Sequence, residues 1–452
     1  MMRSPFFAML AVLAVAACDA ATTTTEPPSA GLDAQLRADI ARWGVVPIGE
    51  MPAQNPAVVA LGRALFFDKV LSGNRDIACA TCHHPTASLG DGLSLSIGTG
   101  GTGIGSSRRL GTARQFVPRG APSLLNSGLG SPYLFWDGRL NGFGPGNVRV
   151  EDGPVPPPSL TNLLAAQAML PVVTRHEMLG NTGDVDVHGN PNELAAFAAG
   201  QETEIWLALM RRIVAIPEYV ALFGAAFPGK PASALRFDDA AIALATFQRQ
   251  AFTKTRSPFD RYLDRDDAAL TPDQKRGALL FFGQAQCGSC HSGPFLGGQS
   301  FANVGAPQIG PGGRAEPPLD LGRGEIAGND FYRFAFRVPP LRNVELTAPY
   351  MHSGAYGTLE AVVRHYDNVP DALRSYDIRQ HAPAMSDSYH GDAATIDAVL
   401  ATLDHRLWNP LDLTDAQVMD LVAFLTSLTD PAGRDLHVLT PTRVPSGLPV
   451  ND

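Results

Sequence analysis

Cysteine is scarce in this 452-residue chain: there are five, four of them are taken up by two short motifs, and none remains to pair in a disulfide. Charge is thin as well, at 17% of residues. With a net charge of −9 and no run of lysine and arginine, the chain lacks the basic face that nucleic acid requires. Any steering would favour positively charged partners. Strand signals are short and scattered, which leaves a mainly α fold. Hydrophobic residues make up 45%, enough for packed cores and against wholesale disorder. The length suits two domains, and 45 glycines with 37 prolines imply long loops between rather few regular elements.

The apolar stretch Pro5 to Ala17 follows Arg3, is too short to span a bilayer and reads as an export signal. It ends in Val15-Ala16-Ala17-Cys18, which resembles a bacterial lipobox, in which the cysteine carries the lipid anchor. The other reading is ordinary cleavage nearby, leaving Cys18 as a spare thiol. Ala21 to Ala30, with its threonines and prolines, reads as a flexible tether.

The remaining cysteines form two C-x-x-C-H motifs, Cys79/Cys82/His83 and Cys287/Cys290/His291. In this motif two thiols add to the haem vinyl groups, and the adjacent histidine reaches the iron from one side. The competing reading, a pair of zinc half-sites, needs the two motifs to converge. Each motif follows a similar helix. Asn55-Pro56 opens the first, and Thr271-Pro272-Asp273-Gln274 opens the second as a capping box. Gly62-Arg63-Ala64-Leu65-Phe66-Phe67 matches Gly277-Ala278-Leu279-Leu280-Phe281-Phe282 in character, which reads as an internal duplication. Asp238 to Phe252 is a further expected helix. Thr414-Asp415-Ala416-Gln417 opens a last one, whose apolar face suits packing on the helix before a haem. Ser257-Pro258-Phe259-Asp260-Arg261-Tyr262 reads as the linker between halves, with a boundary near Leu263. The expected organisation is therefore residues 1–18 as signal, 19–33 as tether, 34–263 and 264–440 as two c-type cytochrome domains, and 441–452 as a tail.

Several longer stretches carry a family resemblance: Phe135-Trp136-Asp137-Gly138-Arg139; Gln167 to Met178 with Pro171 and Glu177; Ser257 to Tyr262; and Leu341-Arg342-Asn343-Val344-Glu345-Leu346-Thr347-Ala348-Pro349-Tyr350-Met351-His352. Through them the sequence resembles the bacterial dihaem cytochrome c peroxidase/MauG family over nearly the whole mature chain. The resemblance implies that peroxide reacts at the N-terminal haem and that Glu177, six residues after Pro171, acts there as general acid and base. Alone, Glu177 would read as a surface loop residue. Trp136 takes the place of the family's tryptophan between the haems, an electron relay, although packing in a core is the commoner fate of tryptophan.

Two departures from the peroxidase pattern stand out. Where the cytochrome-c-oxidising members have an axial methionine, fourteen residues after the histidine at 352, this chain has Tyr366, the MauG-type pattern. Phenolate favours ferric and higher iron, whereas methionine favours ferrous. The alternative is that Tyr366 only packs and Met351 or Met385 binds iron. No histidine lies between His84 and His176, and the loop after the first motif is glycine-rich from Gly98 to Gly105, so the distal side is expected to be open at rest. The family's calcium would fall to the carbonyls of Thr347 and Pro349, but its asparagine position is Gly120 here, and a nearby loop or Asn126 would have to substitute. The implied activity is a periplasmic dihaem peroxidase that reduces H2O2 with electrons from a cytochrome c, a cupredoxin or a residue on a partner protein. The rival reading is a dihaem electron carrier without enzymatic activity.

Overall fold

The first haem motif sits where it does because two helices before and after it touch backbone to backbone. The computed structural model describes residues 1, 29–143, 146–160 and 162–450. The expected signal, Cys18 and most of the tether lie outside the described residues. Helix Pro56–Phe67 starts as its sequence dictates, with Asn55 Oδ1 accepting from Ala57 N at 2.9 Å and proline at its first position. It crosses helix Phe237–Phe252 so closely that a Cβ on Gly62 would lie 2.0 Å from Ala243 O. Around the crossing, Phe66 packs on Phe247 and Phe252, with ring centroids 5.5 and 5.3 Å away.

The second half repeats this design. Helix Pro272–Phe282 is capped by Thr271 and crosses helix Asp415–Ser427, capped by Thr414. A Cβ on Gly277 would meet Asp420 O at 1.8 Å. Phe281 and Phe282 pack on Phe424 at 5.1 and 5.7 Å. The duplication extends further than the helices. Asn126 and Asn343 both adopt left-handed φ (62° and 66°), which asparagine tolerates better than most residues. Asn126 N donates to Phe252 O and its Oδ1 accepts from Lys254 N, while Asn343 N donates to Leu428 O and its Oδ1 accepts from Asp430 N. Both Nδ2 groups then donate, at 3.0 Å, to one carbonyl, Lys254 O. Equivalent residues of the two halves thus meet at a single backbone oxygen.

The fold is mainly helical, and its strands are two residues long. Tyr133–Leu134, Leu140–Asn141 and Arg149–Val150 form an antiparallel sheet in that order, with Leu134 opposite Leu140. Phe301–Ala302 pairs with Phe336–Arg337. No helix among the described residues is long and apolar enough to cross a membrane.

Packing does not follow a simple cut of the sequence near Leu263. Ser257–Tyr262, expected as a linker, is instead the start of a capped helix, Pro258–Leu263, whose Phe259 and Tyr262 are fully buried in the second core. Helix Ser29–Arg42 begins inside the expected tether and also joins that core through Leu36 and Ile40. There Tyr262 Oη donates to Asp33 at 3.0 Å, Lys275 Nζ pairs with the same carboxylate, and Trp43 Nε1 donates to Phe282 O at 2.8 Å. The other terminus crosses the opposite way. Leu436, Val444 and Leu448 pack into the first core, and Ser446 Oγ donates to Asp68 at 2.6 Å. Each terminus binds the half more distant from it in sequence, because its apolar residues find their partners there.

Gly277→Ala should lower stability by about 1–3 kcal/mol through overpacking at the crossing, read as a fall in the thermal unfolding midpoint. An unchanged midpoint would show that the helices have room to part.

Candidate active site

The two C-x-x-C-H motifs adopt the same local structure. Cys79–Cys82 forms a single helical turn and Cys287–Ser289 another, each followed by its histidine. His83 Nδ1 lies 3.0 Å from Leu89 O, and His291 Nδ1 lies 3.0 Å from Leu296 O. Both leucines are fully buried and hold left-handed φ values of 62° and 55°, which turn their carbonyls inward. A carbonyl only accepts, so each Nδ1 carries the proton and each Nε2 keeps its lone pair for a metal. Burial pushes both imidazoles down to about 4, so they stay neutral donors at ordinary pH.

The four thiols are free. Burial pushes Cys79 and Cys287 up to about 12 and raises Cys82 and Cys290 as well, so none is poised as a thiolate. Among the described residues no group of three or more His, Cys, Asp or Glu could hold a metal ion. The motifs do not converge, which removes the zinc alternative and leaves thioether attachment as the chemistry that suits paired neutral thiols beside a lone imidazole donor.

Cys79, Cys82 and His83 face a cavity of about 570 Å3, and Gln167, Pro171 and Glu177 line the same space. This is the size and shape of a cofactor site. Glu177 sits in the turn Arg175–Leu179, which the loop beside it fixes in place. Thr99 N donates to Glu177 O at 2.8 Å, Gly73 N donates to Met178 O at 2.8 Å, and a Cβ on Gly98 would fall 1.9 Å from His176 O. The carboxylate itself accepts no hydrogen bond from another described side chain, but its charge acts on Cys82.

The glycine-rich loop is tightly held. Arg108, 2% exposed, donates from Nε to Ile97 O and through its two amino groups to Gly98 O and Gly103 O, at 2.7–2.8 Å. His176 also lines the cavity next to Glu177, although no histidine lies in the loop after the motif. Asp91 is another residue the spacing gave no reason to expect. It is buried against the cavity with Oδ2 unpartnered, and burial pushes its carboxyl up to about 6.

Trp136 lines the cavity where the halves meet. Its Nε1 donates to Gly120 O at 2.9 Å and its carbonyl accepts from Arg337 N at 2.7 Å. Beside it, Arg119 joins Asp137 to Asp320 of the second half, holding the latter through two bonds of 2.7 and 2.8 Å. Burial alone would raise the Asp137 carboxyl, but Arg119 and Arg139 outweigh it and bring it down to about 2. Nothing in the local sequence marks Arg119 for this role.

Tyr366 lies on helix Leu359–Asp367, apart from that cavity. Burial raises its phenol, with smaller contributions in the same direction from Cys290 and Cys287, and its ring packs against Leu321, Phe334 and Val369. Met385 and Met351 pack in a different cluster with Ile309 and Ile378, and Met351 also lines the first cavity. Thr347 and Pro349 line the first cavity too. Asn126 lines it as well, with Nδ2 donating to Lys254 O and Oδ1 accepting from Lys254 N.

The profile of the di-haem cytochrome c peroxidase family matches residues 56–268. The methylamine utilization protein MauG of Methylorubrum extorquens is 33% identical over 355 residues, spanning 78% of this chain and 80% of its own. The chain belongs to the dihaem cytochrome c peroxidase family. The cytochrome c551 peroxidase of Pseudomonas aeruginosa, another member, is 32% identical over 305 residues, 67% of this chain and 69% of its own. Among solved structures, a MauG-like protein associated with microbial copper homeostasis superposes with TM-score 0.57 at 27% identity, covering 86% of this chain and 94% of that one. A dihaem peroxidase from Burkholderia thailandensis, at 23% identity, shares the fold with TM-score 0.55, covering 86% of this chain and 90% of its own. This member is thus an oxidoreductase of the cytochrome c peroxidase type, in a family that carries two haems.

Replacing both cysteines of either motif by alanine should halve the covalent haem seen by staining after denaturing electrophoresis. Haem that leaves the wild-type protein in acid acetone would refute thioether attachment.

Proposed function

We propose that the chain reduces H2O2 at the N-terminal site, where His83 would hold the haem iron and Glu177 would serve as acid and base, and passes the electron demand through Trp136 to a second site that His291 and Tyr366 would hold. When bound, the haems supply iron that takes up and passes on electrons. The observation that carries the reading is the placement of Glu177: a carboxylate without a hydrogen-bond partner among the described residues, on a pinned turn, lining the same cavity as Cys79, Cys82 and His83. From there it takes a proton from one peroxide oxygen and returns it to the leaving oxygen, so that water departs. A pure electron carrier would have no use for such a group over an open cavity.

Trp136 acts as relay because its ring is fixed by the Gly120 carbonyl at the meeting of the halves. Tyr366 favours the more oxidised iron. Its buried phenol stays protonated on its own and would release the proton only on binding a metal cation. The packing of Met351 and Met385 in another cluster supports tyrosine over methionine. A ligand that lowers the potential makes a poor electron entry point, which favours oxidation of a residue on a partner protein over a cytochrome c or cupredoxin donor. We place the protein in the periplasm, anchored through a lipid on Cys18. A calcium ion would take the Thr347 and Pro349 carbonyls and, since Gly120 brings no side chain, oxygen from a nearby loop or Asn126.

Glu177→Gln should slow the reaction with peroxide by roughly 10²- to 10⁴-fold in stopped-flow mixing while leaving both resting haem spectra nearly unchanged. An unaltered rate removes Glu177 from the mechanism. Tyr366→Met should raise the reduction potential of the C-terminal haem and let the protein accept electrons from reduced cytochrome c. A wild-type spectrum already showing the methionine charge-transfer band would replace the tyrosine assignment with methionine.

A further inference from the structure

Next to the second site runs a line of aromatic rings that the proposed reaction does not use. The His365 ring lies 5.6 Å from Tyr366 and 5.3 Å from Tyr356; Tyr356 lies 5.4 Å from Tyr376, which lies 5.2 Å from Tyr389. Tyr389 is half-buried at the outer end. Spacing of this kind permits an electron to step from ring to ring, but the hydrogen bonds decide where it stops.

His365 is 1% exposed and both its ring nitrogens are engaged. Nε2 lies 2.8 Å from Val304 O and Nδ1 lies 2.9 Å from Tyr356 Oη. The carbonyl can only accept, so Nε2 carries the hydrogen and Nδ1 presents its lone pair to the Tyr356 hydroxyl. Tyr356 thus donates to a base. Tyr376 Oη, in contrast, donates to Ala355 O at 2.7 Å, and a carbonyl cannot take the proton away. Oxidising Tyr376 would leave the positive charge on the phenol itself, whereas at Tyr356 the proton has a hydrogen-bonded nitrogen to move to.

We propose that Tyr356 is a redox-active tyrosine, the place where an oxidising equivalent from peroxide comes to rest, with His365 as its proton acceptor and Tyr376 and Tyr389 as its connection to the surface. The step balances. H2O2 takes two electrons and two protons to become two waters; Tyr356 supplies one electron to the peroxide-oxidised haem pair. Its O–H bond breaks, an N–H bond forms at His365 Nδ1, and a neutral phenoxyl radical faces an imidazolium still bonded to Val304 O. A later reductant returns one electron, and the proton goes back. The inference rests on the peroxidase reading but not on which side chain binds the C-terminal iron.

The test is to mix the ferric holoprotein with H2O2, freeze it within the reaction and record both electron paramagnetic resonance and haem absorption. An organic radical should appear, narrow when the protein carries ring-deuterated tyrosine, and be lost in Tyr356→Phe while the haem bands still respond. Tyr389→Phe should keep it. A radical absent from wild type while the haems respond, or one unchanged in Tyr356→Phe, overturns the assignment. Should that variant not fold, fluorotyrosine placed at position 356 keeps the hydroxyl and must split the signal through fluorine coupling; an unsplit signal likewise overturns it. Haem bands that ignore peroxide would defeat the peroxidase reading itself, and this inference with it.

Discussion

Two helix crossings in which backbone meets backbone set the geometry of everything else. At Gly62 and Gly277 any side chain would occupy the place of a carbonyl on the crossing helix. The closeness seats the paired phenylalanines that follow each glycine against the opposing helix, and it fixes the direction in which the chain leaves toward Cys79 and Cys287. A haem held at the first motif would occupy the cavity that Cys79, Cys82 and His83 line. The same residue pattern serves twice because the same packing problem is solved twice.

Around this frame the buried polar groups position ligands and join the halves. The carbonyls of Leu89 and Leu296 select the tautomer of the His83 and His291 imidazoles. Arg108 closes a glycine-rich loop onto the backbone of Glu177, and Arg119 bridges carboxylates of both halves beside Trp136. Each of these charges would be costly in isolation, and each is matched by several acceptors. The cavity is therefore walled by a lattice of short hydrogen bonds, and its dimensions resist drift as electrons come and go.

What the sequence makes legible is local. The C-x-x-C-H spacing and the caps at Asn55, Thr271 and Thr414 depend on residues within four positions of one another, and all three caps form. Glu177 and Trp136 are legible only through family resemblance, because neither residue's surroundings single it out. The structure then puts both against one cavity. The arrangement of the termini is illegible, since Asp33 meets Lys275 across 242 positions and helix Ser29–Arg42 could as well have covered the half that follows it. The same holds for Tyr356 and His365: they are brought together by a turn and a helix start, and the tautomer that matters is set by Val304, sixty-one positions upstream.

The crossed termini tie both halves to a common schedule. Synthesis runs from the N-terminus, so helix Ser29–Arg42 is among the first segments made, yet its seat around Tyr262 and Phe282 does not exist until some 240 residues later in the chain. The first core, in turn, takes in Val444 and Leu448, which are made well after the helices they pack on. Each core thus takes in a segment from the far side of the sequence, so cutting the chain near Leu263 would strip buried residues from both halves.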